Sequence, residues 1–71
     1  MAEAVLKNRL KDARAEAGLT QAELAERISV SRKTINTVEN GVFVPSTILA
    51  LKLAKALGMK VEALFYLDGK D

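Results

Sequence analysis

From Asn8 onward, apolar side chains return every three or four residues, and each run of returns ends at a residue that stops helices. Leu10, Ala13 and Ala17 fall on one face of a first helix, with Lys11, Asp12, Ala15 and Glu16 mostly opposite. Asn8 reads as its N-cap, Gly18 as its closing residue, and Leu19 as the apolar residue that packs back over the end. Thr20 then caps a second helix, Glu23 completes a capping box with it, and Leu24, Ala25 and Ile28 turn inward. Ser29-Val30 breaks that pattern. Ser31 caps a third helix with Ile35 and Val38 inward, and Asn40-Gly41 ends it. Beyond the apolar connection Val42-Phe43-Val44-Pro45, Ser46 caps a fourth helix from Thr47 to Leu57. Its broad inner face is Leu49, Ala50, Leu53, Ala54 and Leu57, and Gly58 stops it. Lys60 to Phe65 suits one further short helix with Val61, Leu64 and Phe65 inward, followed by an extended tail at Tyr66-Leu67-Asp68-Gly69. Ahead of Asn8, Ala4-Val5-Leu6 reads either as a ragged first turn or as a brief strand.

This pattern predicts an all-α fold, a five-helix bundle in a single domain over residues 1–71, with short flexible ends at 1–4 and 68–71. The connection at Ser29-Val30 is too tight for a linker, so Thr20 to Gly41 forms one helix-turn-helix unit around which the chain is organised. The outward face of its second helix carries Arg32, Lys33, Asn36 and Thr37. Two cations, an amide and a hydroxyl are what the donor and acceptor pattern of a DNA major groove demands. Arg14 is out of place within the apolar stripe of the first helix, and a buried Arg needs a carboxylate partner.

Composition narrows the chemistry. The 71 residues are 49% apolar but only 4% aromatic, so the core is aliphatic and finely divided. There is no Cys and no His, which removes disulfides, thiolate metal sites and the commonest general base and metal ligand together. Glu23 and Glu26 lie three residues apart, but a capping box and a solvated face account for them without catalysis. The reading is therefore not an enzyme, with no cofactor and no metal. Eleven basic against nine acidic side chains give a net charge of +2, so position rather than sum must carry any attraction to phosphate. No apolar run approaches membrane-spanning length, and a cytoplasmic protein is expected.

The residues now assembled resemble the Cro/repressor-type, or xenobiotic-response-element, helix-turn-helix family of transcriptional regulators. The matching elements are R-x-x-x-G-L-T-Q-x-E-L-A at Arg14 to Ala25, V-S-R-x-T-I at Val30 to Ile35 and E-N-G at Glu39 to Gly41. Pro45-Ser46 and A-x-x-L-G-M-x-V-E-x-L-F at Ala54 to Phe65 complete the pattern, which covers roughly residues 6 to 66. The resemblance implies roles for individual positions. Arg32, Lys33 and Thr37 would face base edges, with Asn36 near the groove wall. Gln21 and Asn40 would meet phosphates, as would Thr34 and the backbone at Gly41. Gln21 would also buttress the reading helix. Arg14 and Glu39 would form a salt bridge between the first and third helices. Two departures stand out: Ser29 replaces the usual Gly of the turn, and Val42-Phe43-Val44 replaces a basic or polar loop.

The apolar surplus outside the core stripes is Ile48, Leu51, Met59, Tyr66 and Leu67, with Phe43 as a possible addition. In the family such a set builds a two-fold interface, and two reading helices about 34 Å apart would then engage a palindromic operator in double-stranded DNA. In some short relatives the chain ends pair as an antiparallel ribbon, which here would set Val5-Leu6-Lys7 against Tyr66-Leu67-Asp68. The expected function is a homodimeric, sequence-specific repressor. Two alternatives keep the fold: an antitoxin that represses its own operon and binds a toxin, and a protein-interaction module that has lost DNA binding.

Overall fold

The computed structural model describes residues 5–68. Seven elements follow in order: β1 (Val5–Asn8), α1 (Leu10–Glu16), α2 (Gln21–Arg27), α3 (Arg32–Glu39), α4 (Thr47–Leu57), α5 (Val61–Leu64) and β2 (Phe65–Asp68). Five helices surround one core, and β1 and β2 close it as a two-stranded antiparallel sheet. The fold is thus the expected five-helix one, with the short antiparallel ribbon formed by the chain ends. The pairing register is Val5 with Asp68, Leu6 with Leu67, Lys7 with Tyr66 and Asn8 with Phe65. The segment before Asn8 is therefore a strand, and the tail after α5 is its partner. Of the ends expected to be flexible, 1–4 and 69–71 lie outside the described residues, while Asp68 is the last residue of β2.

The core is built from the periodic positions. Leu10, Leu24, Ile35, Leu53 and Leu64 are fully buried, one from each helix, with Ala13, Ala25, Ile28, Val38, Leu49, Ala54 and Phe65 around them. Burying each Leu, Ile, Val or Phe of this set contributes about 1.5–3 kcal/mol. Ala50, Leu57 and Val61 pack against this cluster from its rim.

Two corrections concern the ends of elements. Asn8 does not cap α1; it is a strand residue, and Arg9 takes the N-cap position without a side-chain bond. Asn8 nevertheless serves both neighbours, because its Oδ1 accepts from the Leu10 amide at 3.0 Å and its Nδ2 donates to the Val38 carbonyl at 2.9 Å. The last helix stops at Leu64 rather than Phe65, because Phe65 adopts extended backbone and opens β2 while its side chain stays buried. The remaining caps form at Thr20, Ser31 and Ser46, whose hydroxyls accept from the amides of Glu23, Thr34 and Leu49. In the capping box the Glu23 carboxylate accepts from the Thr20 amide at 2.8 Å, and this bond holds its pKa below the usual carboxylate range.

Four helices end by one device. In each, a left-handed residue lets two successive amides bond back to carbonyls of the last turn. For α1 these are Gly18 to Ala15 and Leu19 to Arg14; for α4 they are Gly58 to Lys55 and Met59 to Ala54. For α3 they are Gly41 to Val38 and Val42 to Thr37, and for α2 they are Ser29 to Glu26 and Val30 to Ala25. The residue after the left-handed position is apolar every time, and Leu19, Val30 and Met59 fold back onto the core. Met59, expected in an apolar interface, is half-buried and packs against the core. Val42 alone stays out in solvent.

Three of the left-handed residues are Gly; the fourth is Ser29, at φ 59°. A side chain at that angle crowds the following carbonyl and costs about 1–2 kcal/mol, part of which Gly returns as extra freedom in the unfolded chain. Ser29→Gly is expected to stabilise the protein by up to about 1 kcal/mol, read as a higher urea midpoint with an unchanged slope. A midpoint at or below the parent's would show that the turn is unstrained.

Candidate nucleic-acid interface

The two helices of the central unit, α2 and α3, meet through the Val30 turn and carry the largest block of contacts between helices. What orients α3 is one carboxylate. Glu39, the last residue of α3, receives Arg14 Nε at 2.6 Å and Arg14 Nη2 at 3.3 Å from α1. It also receives Gln21 Nε2 at 3.0 Å from the first turn of α2. The remaining Arg14 fork donates Nη1 to the Leu19 carbonyl at 2.9 Å, in the connection between α1 and α2. Three helices are thereby tied at one point, with the Glu39 side chain only 3% exposed and Arg14 14%. The hydrogen bond to Glu39 raises the Arg14 pKa, so the guanidinium stays charged. The buttressing role read for Gln21 is this contact. One hydrogen of its amide nitrogen is engaged there and one remains.

Held in this way, α3 presents a polar outer face. Arg32, Lys33 and Asn36 are exposed, and with Gln21 they line a shallow recess between the start of α2 and the start of α3. All four belong to the positions read from the sequence as contacting DNA, and the fold brings them together. Thr34 and Thr37 lie further round, half-buried. The Thr37 hydroxyl donates back to the Lys33 and Thr34 carbonyls, each at 3.0 Å, and the Thr34 and Ser31 hydroxyls are bonded to each other at 2.9 Å. Thr34 thus has an internal partner at the atom expected to meet phosphate.

At the far end of α3 the backbone amides of Asn40 and Gly41 donate to the Asn36 and Val38 carbonyls, each at 3.1 Å, and close the helix, so a phosphate at Gly41 meets amides that are already engaged. The Asn40 side chain bonds the Asn36 carbonyl at 2.9 Å and keeps its second amide hydrogen. Sequence reasoning also missed Asn8, which holds the Val38 carbonyl from the sheet. Nothing in the local pattern marks that contact, since its two residues are thirty positions apart.

Chemistry other than recognition finds little here. Among the described residues no group of His, Cys, Asp and Glu could hold a metal, and no helix is long and apolar enough to cross a membrane. Glu23 is engaged in its capping box.

The triple tie generates a stability prediction. Removing one partner of a buried pair strands the other charge, at a cost of about 3–5 kcal/mol. Arg14 keeps some solvent contact, so Arg14→Met should destabilise by about 3 kcal/mol, the lower end of that range. Adding Glu39→Leu should restore most of the loss, because no stranded charge remains. Urea unfolding of both variants decides it; a double variant no more stable than the single one would show that the bridge acts otherwise.

With this geometry in place, the likeness to known proteins is informative. The helix-turn-helix family model HTH_3 matches residues 10–64. YgzD of Bacillus subtilis, an uncharacterized HTH-type transcriptional regulator, is 44% identical over 66 residues, 93% of this chain and 100% of its own length. MJ0272 of Methanocaldococcus jannaschii, described in the same words, is 48% identical over 66 residues with the same coverage, 93% and 100%. The restriction-modification controller protein C.AhdI from Aeromonas hydrophila superposes with a TM-score of 0.74 at 34% identity, over 78% of this chain and 83% of that one. A Bacteroides fragilis protein reaches a TM-score of 0.80 at 29% identity, over 87% of this chain and 100% of that one. The chain belongs to the HTH_3 helix-turn-helix family, the Cro/C1-type DNA-binding transcriptional regulators, which are regulators and not enzymes.

Proposed function

We propose that this protein is a homodimeric repressor that binds a palindromic operator in double-stranded DNA. The observation that carries the reading is the outer face of α3, where Arg32, Lys33 and Asn36 are exposed while Glu39 anchors the helix from behind. Arg32 forks onto the O6 and N7 of guanine, Lys33 reaches a base or a neighbouring phosphate, and Asn36 lies at the groove wall. Thr37 faces a base edge with its methyl group. Gln21 and Asn40 contribute phosphate contacts through the amide hydrogens that their internal bonds leave over, and Thr34 contributes as part of its hydroxyl pair with Ser31, whose mutual bond uses one of two hydrogens. Such contacts fix register, and the base contacts choose the sequence.

Pairing is supported by the apolar surface that one copy leaves in water. Ile48 is 69% exposed, Leu51 55%, Leu67 63% and Tyr66 38%. Ile48 and Leu51 lie on α4 and the other two on β2, all outside the helix-turn-helix unit. A two-fold contact through this surface covers it and sets two reading helices at the spacing of successive major grooves. Occupying an operator that overlaps a promoter blocks transcription without any further activity of the bound protein, and the site of action is then the cytoplasm. The named controller protein among the structural neighbours is a regulator of comparable architecture.

Two measurements test this. With a duplex selected from a random pool, Arg32→Ala with Lys33→Ala should lower specific affinity on the order of 100-fold, since each good base contact is worth about 1–3 kcal/mol. The double variant should keep its melting temperature, because both side chains are exposed. Undiminished binding by that variant would refute the assignment of the face. Ile48→Asp with Leu51→Asp should give a monomer in sedimentation and a single-site, weaker complex on the same duplex. A parent chain that sediments as a monomer at micromolar concentration, free and bound, would refute the pairing.

A further inference from the structure

The ending of α3 repeats the backbone turn of α1, α2 and α4 but returns no side chain to the core. Val42 holds the position that Leu19, Val30 and Met59 fill with core-packed side chains, yet it is 78% exposed, and Phe43 beside it is 46% exposed. The backbone is nonetheless firmly placed. The amides of Val42 and Phe43 both donate to the Thr37 carbonyl, at 2.9 and 3.2 Å, so the loop is clamped against the last turns of the reading helix. The two apolar side chains thus extend from a backbone that is held against α3.

They wall a notch whose other side is Ser31, Lys33, Thr34 and Thr37. Every hydroxyl oxygen in that wall already has a partner inside the protein. Thr37 Oγ1 bonds the Lys33 and Thr34 carbonyls, and Ser31 and Thr34 bond each other. Thr37 therefore offers its methyl group to the notch rather than its oxygen. The lining is hydrocarbon on both sides, with Lys33 as the one cationic group along it. A polar base edge placed there would lose its hydrogen bonds to water without replacement, which is unfavourable. An apolar group would gain.

Only one apolar group projects from base pairs into the major groove, the C5-methyl of thymine. We infer that Val42 and Phe43, with Thr37, form a methyl-reading notch that requires a thymine beside the bases contacted by Lys33 in each half-site. This rests on the reading that the outer face of α3 enters the major groove, and it assigns the apolar loop to specificity instead of to phosphate attachment or to a protein partner. Lys33 lines both the polar recess with Gln21 and this notch, so the two are continuous along one helix.

The test is a methyl deletion on the DNA. A duplex selected by the full chain is resynthesised with deoxyuridine in place of each thymine in turn, and binding is measured for the parent and for Val42→Ser with Phe43→Ser. One thymine per half-site should stand out, its loss weakening the parent by roughly fourfold, as a buried methyl group is worth about 0.8 kcal/mol. For the double variant the thymine and deoxyuridine duplexes should bind equally, with affinity near that of the parent on deoxyuridine. Circular dichroism melts of the variant should match the parent's, since both side chains are exposed. Three results overturn the inference. Discrimination retained by the variant means α3 alone reads the methyl. Equal weakening on both duplexes means the loop lies on the sugar-phosphate backbone. Parent-like binding by the variant on every duplex means the loop does not touch DNA and is free for a protein. A pool from which no duplex is selected sinks the operator reading itself, and this inference with it.

Discussion

The carboxylate of Glu39 is the point on which this structure turns. It sits at the end of the reading helix, is almost wholly shielded from water, and collects donors from the two helices packed behind. A buried ion pair is not a reliable source of net stability, because desolvating two charges offsets most of their attraction. Its value here is directional. Arg14 is itself fixed by the Leu19 carbonyl, and Gln21 by its place in the first turn of α2. The carboxylate therefore has one position that satisfies all its donors, and α3 has one orientation. Asn8 adds a second tether one residue away, from the terminal sheet to the Val38 carbonyl. An interface that must present several side chains to a rigid groove needs its helix located to a fraction of an ångström. Apolar packing alone, which tolerates repacking, gives that less sharply.

The repeated helix ending explains how so short a chain holds five helices with few long connections. Each ending turns the backbone at a left-handed residue and, in three cases, returns an apolar side chain to the core. A connection thus contributes to the core it leaves. Met59 shows the consequence for reading surfaces from sequence: off the helical stripe, it looks surplus, yet it is packing. At Val42 the same device leaves its apolar side chain outside, beside Lys33, Thr34 and Thr37 of α3.

The surface of α3 and its loop thus sets polar and apolar side chains next to each other. One side of its first turns carries the exposed Arg32, Lys33 and Asn36, and the apolar Val42 and Phe43 of the following loop stand beside Thr34 and Thr37 on the other. The modest net charge of +2 suits this arrangement. A small net charge gives little sequence-independent attraction to phosphate, so the position of individual cations matters more than their sum.

Much of this was legible in the chain itself. Hydroxyl residues at Thr20, Ser31 and Ser46 and glycines at 18, 41 and 58 are local signals, and local hydrogen bonds obey them, so helix positions followed. Arg14 inside an apolar stripe announced a buried partner, and the E-N-G pattern named it. The outer face of α3 followed from periodicity. What only the tertiary structure decided is where local rules compete with distant partners. Asn8 had the composition of a cap, but pairing with Phe65 across the sheet kept it extended. The amides at Asn40 and Gly41 looked available until the helix ending engaged them. Met59 and Val42 occupy equivalent positions, and only the packing around each determines that one is half-buried against the core and the other stands in solvent. Hydrogen bonds within a turn are specified by neighbours along the chain; exposure is specified by whatever the fold places opposite, and no single stretch of sequence contains both sides.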